Sequence, residues 1–250
     1  MQQTKDKINV LGDEHSFIRL VDWVGDELSI VNAARVSFHN ESEWQWDWGE
    51  SVADQNGTGP YLNPRDKGLL NFLLKNKHGS PFEQGFMAQF HIRLPIFVMR
   101  EWVRHRVGFS INEESGRYVE MRPDFFIPDH IRTQHGKPGD YWYEVSDDET
   151  LKDEFIGRLQ AQSQDAYNQY KWALEQGIAK EQARLFLPLN LYTECRWTCN
   201  ARSLMNFLAL RNAKNAMEEI RLYAEALEDI FSQHMPNVYQ SFVENGRVAP

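Results

Sequence analysis

Residues 85–93, Gly-Phe-Met-Ala-Gln-Phe-His-Ile-Arg, constrain the fold more than any other stretch. Phe86, Ala88, Phe90 and Ile92 fall on one side of a period-two pattern, and Met87, Gln89, His91 and Arg93 fall on the other. Such a segment is a strand with one face in a core and one mixed face. It requires partner strands at its edges and helices over its apolar side. Residues 16–37 read as strand, Gly-Asp turn and short helix, and residues 191–198 read as another strand. Asn63-Pro64 supplies an N-cap and a first-turn proline for a helix over 64–77, with Leu69, Leu70, Phe72, Leu73 and Leu74 as its buried side. Pro95 opens an apolar helix over 96–103 whose last turn carries Arg104, His105 and Arg106, followed by a polar loop. Further helices are predicted over 149–177, from about 179, and without a break over 201–233, and another strand over 117–127. The order predicts an α+β fold, a small antiparallel sheet packed with helices, as a single domain over residues 1–250. Residues 39–63, with Trp44, Trp46 and Trp48, read as a long loop, and residues 129–148 as an irregular surface excursion.

Composition excludes several classes of function. The formal charge of −9 argues against general binding to nucleic acid, which needs a basic face. No window approaches the ~18 apolar residues of a membrane span, and the first residues lack the apolar run of a secretion signal, so a soluble, cytoplasmic protein without a membrane partner is expected. Cys195 and Cys199 are the two cysteines, and neither they nor the scattered histidines match a metal-ligand pattern. No metal is expected, and the cysteines read as buried small residues.

Several polar groups carry two readings each. Arg104, His105 and Arg106 suit the negative end of a helix dipole, with Gly108 as a C-cap glycine. Yet Ser110, Asn112, Glu113, Ser115, Gly116 and Arg117 follow directly, and together they suit a loop wrapped around a phosphate, a ribose and a base. Leu204, Phe207 and Leu208 form an apolar helix stripe whose next position is Arg211. Arg211 therefore meets either a salt-bridge partner, Glu218 or Glu219, or a ligand. Arg184 reads as a snorkelling helix-edge residue or a ligand contact. Asn200, with Arg202 and Asn206 beyond it, reads as an N-cap or as part of a phosphate site. The three tryptophans read as a patch closing over the core or as a lid.

Arg104-His105-Arg106 with Asn112-Glu113-Glu114-Ser115-Gly116-Arg117-Tyr118 resembles the signature of the flavin-dependent thymidylate synthases. Eight residues separate Arg106 from Ser115, one more than the family pattern has. Blocks similar to the family's recur in order: Ala33-Ala34-Arg35-Val36-Ser37, His78-Gly79-Ser80-Pro81-Phe82-Glu83, Pro95-Ile96-Phe97-Val98, Leu187-Pro188-Leu189-Asn190 and Asn200-Ala201-Arg202-Ser203-Leu204. Residues 39–63 and 129–148 are insertions relative to it, and Asn215 stands where a histidine is common.

The resemblance implies a homotetramer with sites between subunits, each holding FAD and dUMP. It assigns Ser80, Arg104, His105, Arg106, Glu113, Asn200, Arg202 and Asn206 to the flavin. It assigns Glu101, Trp102, Val103, Arg104, Glu113, Glu114, Ser115, Gly116, Arg117, Arg184 and Arg211 to the nucleotide, with Arg211 catalytic at the uracil edge. The implied reaction converts dUMP to dTMP, with methylenetetrahydrofolate as one-carbon donor and NADPH as the reductant of FAD. Alternatives are a sister enzyme making another 5-substituted pyrimidine nucleotide, or a non-catalytic nucleotide-binding protein on the same scaffold.

Overall fold

The computed structural model describes residues 6–46 and 60–250. Its sheet runs in the order β1 (Phe17–Gly25), β2 (Phe86–Pro95), β6 (Tyr192–Asn200), β3 (Phe109–Glu113), each neighbouring pair antiparallel. The alternation in β2 works as expected: Phe86, Ala88, Phe90 and Ile92 are at most 3% exposed. In register with them, Leu20 of β1 and Trp197 of β6 flank Phe90.

Two expectations about the middle of the chain change. Residues 109–113 form a strand and not a loop, because Phe109 packs against the core and the outer edge of β6 offers backbone groups to pair with; Ile111 is exposed. Phe109 stacks on Trp197 at 5.2 Å with a 12° interplanar angle. The strand expected over 117–127 does not form; one isolated bridge joins Phe125 to Leu191. Pro123 and Pro128 lack the donors a ladder needs.

Helices cover the apolar face of the sheet. α1 (Glu27–Arg35) and α2 (Pro64–Lys75) start on side-chain caps from Asp26 and Asn63, and α3 (Ser80–Gln84) leads into β2. α4 (Ile96–Trp102) follows β2, and α5 (Glu149–Glu175) and α6 (Lys180–Ala183) precede β6. α7 (Ala201–Arg211), α8 (Glu218–His234) and α9 (Pro236–Glu244) complete the chain. The expected continuous helix over 201–233 is broken after Arg211. There the Asn212 side chain donates to Glu228 Oε2 at 2.5 Å, so the chain turns and α8 packs back against α7. Trp102, Trp197, Phe207 and Tyr223 meet at the centre, with Trp102 and Phe207 ring centroids 4.7 Å apart.

α9 has no capping side chain of its own; buried Glu27 of α1 supplies one. Its carboxylate accepts from the backbone N–H groups of Asn237 (2.6 Å) and Val238 (2.8 Å). Residues 129–148 are an excursion, but a regular one. β4 (Arg132–Lys137) and β5 (Asp140–Val145) form a hairpin closed by Pro138-Gly139, with Gly139 at φ +90°. Trp44 packs on the core, Trp46 is 52% exposed, and Trp48 lies outside the described residues.

Candidate functional site

α4 ends at Trp102, so Arg104, His105 and Arg106 lie past its last turn and not within it. The loop they occupy is docked onto the start of α7. Ser203 Oγ donates to the Val107 carbonyl at 2.9 Å, and Asn200 caps α7 by accepting from Ser203 N at 2.8 Å. Gly108 sits between them at φ +74°, where a Cβ would stand 2.0 Å from Ser203 Oγ and 2.9 Å from Asn200 Nδ2. Only glycine fits there on both counts. Arg104 and Arg106 point outward with no ion-pair partner among the described residues.

Arg211 takes the buried stripe position expected of it, but its partner is neither Glu218 nor Glu219, which instead hold Arg132. Arg211 Nη1 donates to Glu101 Oε2 at 2.9 Å, Nη2 to the Glu101 carbonyl at 3.1 Å, and Nε to His105 Nε2 at 2.8 Å. Glu101 lies on α4, one helical turn before the loop, so sequence proximity pointed the wrong way. Burial, and then the Arg211 charge, push the His105 imidazolium pKa down to about 4 against a smaller opposing effect of Glu101. His105 is therefore neutral at pH 7, with Nε2 as acceptor and Nδ1 carrying the proton. Its ring leans on Phe207 at 4.8 Å.

The start of α3 joins the same surface. Arg202 pairs with Glu83 and donates from Nε to the Pro250 carbonyl at 2.6 Å, and its side chain crosses Gly79 so closely that a Cβ there would lie 2.6 Å from Nε. Exposed Ser80 and Asn206 flank it. A groove of about 780 Å³ opens beside Ser80, lined by Arg35, Phe38, Arg65, Phe72 and His78 among others.

The other end of β3 carries the rest of the expected nucleotide residues. Glu113 accepts from Thr193 Oγ1 at 2.8 Å, and Glu114 exchanges backbone and side-chain hydrogen bonds with Glu194. Ser115 opens a tight turn whose carbonyl accepts from Tyr118 N at 2.9 Å. Gly116 is buried against the stem of Arg184, whose Cδ would stand 3.3 Å from an added Cβ. The Arg184 side chain has no hydrogen-bond partner among the described residues, and the Arg117 side chain pairs with exposed Glu181 at 3.0 Å and lies over the Tyr118 ring. Trp102, by contrast, is a core side chain, 1% exposed.

These two groups lie at opposite ends of β3. β3 carries five residues, and at ~3.3 Å per residue its ends stand roughly 13 Å apart. Between them the sheet's polar face holds a charged network. Burial pushes the Glu194 carboxyl up, but hydrogen bonds from Arg122 and His91 outweigh it and hold the group below the ordinary range. Burial and then the Glu194 charge raise the neighbouring Glu114. Burial also raises Cys195 to about 12 and Cys199 further, so neither thiol ionises near neutral pH. Sequence reasoning missed Ser203, Thr193 and Glu181, each an ordinary polar residue whose role depends on a contact far along the chain.

Comparison with known proteins agrees with the motif. Residues 19–237 match the family described as thymidylate synthase complementing protein. A flavin-dependent thymidylate synthase of Kosmotoga olearia is 43% identical over 232 residues, 92% of this chain and 91% of that protein. Another from Thermosipho africanus is 39% identical over 231 residues, 92% of each. Among solved structures, the UMP/dUMP methylase PolB of Streptomyces cacaoi, bound with 5-Br dUMP, superposes with a TM-score of 0.79 at 36% identity, covering 97% of this chain and all of that one. With a match spanning both ends of the site and most of the fold, the chain belongs to the flavin-dependent thymidylate synthase family.

Proposed function

We propose that the protein converts dUMP to dTMP, using methylenetetrahydrofolate as one-carbon donor and FAD reduced by NADPH. The observation that carries this reading is the Arg211 guanidinium, fixed by Glu101 and a neutral His105 beside two unpaired arginines. A cation held in place before the reaction stabilises negative charge developing on a pyrimidine ring without reorganising. The cysteines support the reading from the other side, because burial denies the chain a thiolate nucleophile.

The residues fit a flavin dinucleotide. Arg104 and Arg106 have no ion-pair partner among the described residues, and the groove beside Ser80 is of ligand size. Arg104, His105, Arg106, Ser80, Asn200, Arg202, Asn206 and Glu113 would hold it. Bound FAD supplies the hydride chemistry that side chains cannot. Arg117, Arg184 and the turn at Ser115 and Gly116 would hold the nucleotide phosphate, with Glu114 lining the approach. Val103, Arg104 and Arg211 would face the base. The placement of the two groups at opposite ends of β3 supports a homotetramer whose sites draw on neighbouring subunits. The chain then works as a single domain, with residues 39–63 and 129–148 as additions to it.

The test is the visible spectrum of purified protein, followed by dTMP formation from dUMP, methylenetetrahydrofolate and NADPH. A colourless protein that neither binds added FAD nor makes dTMP would overturn the proposal. The similarity to PolB favours one variation, methylation of UMP as well as dUMP. Running the same assay on UMP decides it.

A further inference from the structure

We infer that Glu101 is a positioning residue, which acts on the reaction by fixing the Arg211 guanidinium and, through it, the tautomer of His105. The inference rests on the proposed function for its consequence in turnover, and on geometry alone for the tether itself.

Arg211 has five N–H donors, and three are engaged within the chain: two by Glu101 and one by His105. Glu101 uses two different atoms, a carboxylate oxygen and its own carbonyl, so it fixes the plane of the guanidinium as well as its location. With both Nη atoms directed at Glu101, Nε lies in line with His105 Nε2. That bond makes Nε2 the acceptor and leaves the proton on Nδ1, so the ring presents a donor and no charge. Two N–H groups of Arg211 remain for a ligand.

The side chains have unequal exposure, which decides the direction of control. Arg211 is 19% exposed and Glu101 45%. The Glu101 carboxylate is partly exposed, and its second oxygen has no partner among the described residues. Arg211, emerging from a buried apolar stripe, has few other acceptors within the described residues. Glu101 thus serves two ends: it partners a cation that would otherwise be half-buried alone, and it aims that cation. Around His105 the charged groups are Glu101 and Arg211, with Arg104 and Arg106 beside it in the chain and turned to solvent.

This assignment differs from a direct nucleotide contact by Glu101, and the two separate experimentally. In ligand-free protein, the His105 imidazole signal, assigned by its loss in His105→Gln, reports both tautomer and titration midpoint by NMR. Wild type should show the Nδ1–H form. In Glu101→Ala, loss of the carboxylate alone would lower the His105 midpoint, whereas release of Arg211 from the ring raises it. We expect the rise, by about one pH unit, with loss of the fixed tautomer. Glu101→Gln retains an amide oxygen for Arg211 and should keep the Nδ1–H tautomer, with a midpoint no higher than that of wild type.

In turnover, Glu101→Ala should lose kcat about 10- to 100-fold with flavin absorbance retained, and Glu101→Gln should recover to within about threefold. An unchanged or lowered His105 midpoint in Glu101→Ala would overturn the inference, as would a loss confined to dUMP affinity. If no variant and no wild-type protein makes dTMP, the proposed function fails, and the NMR result still decides the tether.

Discussion

Glu27, near the start of the chain, accepts the Val238 N–H at 2.8 Å and so caps a helix more than two hundred residues away. The bond closes the fold, because α9 packs on α2 and α8 and has no cap of its own. Glu27→Ala leaves one buried and one part-buried backbone donor unpaired and should cost about 2 to 4 kcal/mol, read as a lower midpoint in urea unfolding with unchanged flavin spectrum. Burial, opposed by the Asn237 and Val238 hydrogen bonds, raises the Glu27 pKa above the ordinary value. A raised carboxyl binds its proton more tightly folded than unfolded. Its contribution is therefore full below the unfolded value and is lost as pH rises through the folded one. The stability of wild type relative to Glu27→Gln should increase as pH falls across that window; a difference that shrinks would contradict the assignment.

Glu194 behaves in the opposite sense. Its folded pKa is lowered, since the bonds from Arg122 and His91 outweigh burial. The stabilisation it gives is present above the unfolded value and disappears as pH falls through the folded one. Glu194→Gln should cost about 1 to 3 kcal/mol at pH 7, and the two proteins should converge in strong acid. Parallel curves would remove Glu194 as the source.

Gly108 and Gly79 are both crowded, yet they should respond differently. A Cβ at Gly108 meets Ser203 Oγ at 2.0 Å in a left-handed backbone, so Gly108→Ala should cost about 2 kcal/mol or more. At Gly79 the obstacle is the mobile end of Arg202. Gly79→Ala should leave stability within about 0.5 kcal/mol while weakening FAD binding, about tenfold by fluorescence titration. Equal loss of stability at both positions would show that Arg202 cannot move.

The Arg184 guanidinium has no partner among the described residues of its own chain. Arg184→Ala should unfold at the wild-type midpoint, within about 0.5 kcal/mol, and should raise KM for dUMP more than tenfold with FAD retained. Arg211→Ala should instead lose most of kcat with FAD retained, as expected of a group acting on the base and not the phosphate. Interchanged effects would mean that the two ends of the site have been assigned the wrong way round.

The readable parts of the sequence were those with local causes. The alternation in β2, Asn63 capping α2 and the stripe Leu204, Phe207, Leu208 each follow from neighbours within one or two turns. β3 escaped notice because only Phe109 and Ile111 signal it, inside a run rich in polar motif residues. The hairpin at 132–145 was obscured by Gly136, Pro138 and Gly139, which punctuate a turn and not an irregular loop; proline followed by glycine suits the two central positions of a type II turn. The break after Arg211 depends on Asn212 meeting Glu228, and the partner of Arg211 lies 110 residues away. No periodicity encodes such pairings. The family motif supplied the candidates for the site residues, and the fold supplied which of them share an end.

The length of β3 has a consequence for mixtures. If Arg211 and Arg184 serve one site from different chains, a chain defective at one can lend its intact half to a chain defective at the other. Arg211→Ala and Arg184→Ala proteins, each of low activity at dUMP well below the raised KM, should regain activity once dissociated and reassembled together, with about a quarter of sites intact under random assortment. Dilution should then abolish turnover faster than it dilutes protein. Heredity at this locus would show allelic complementation, in which two broken copies add up to a working enzyme.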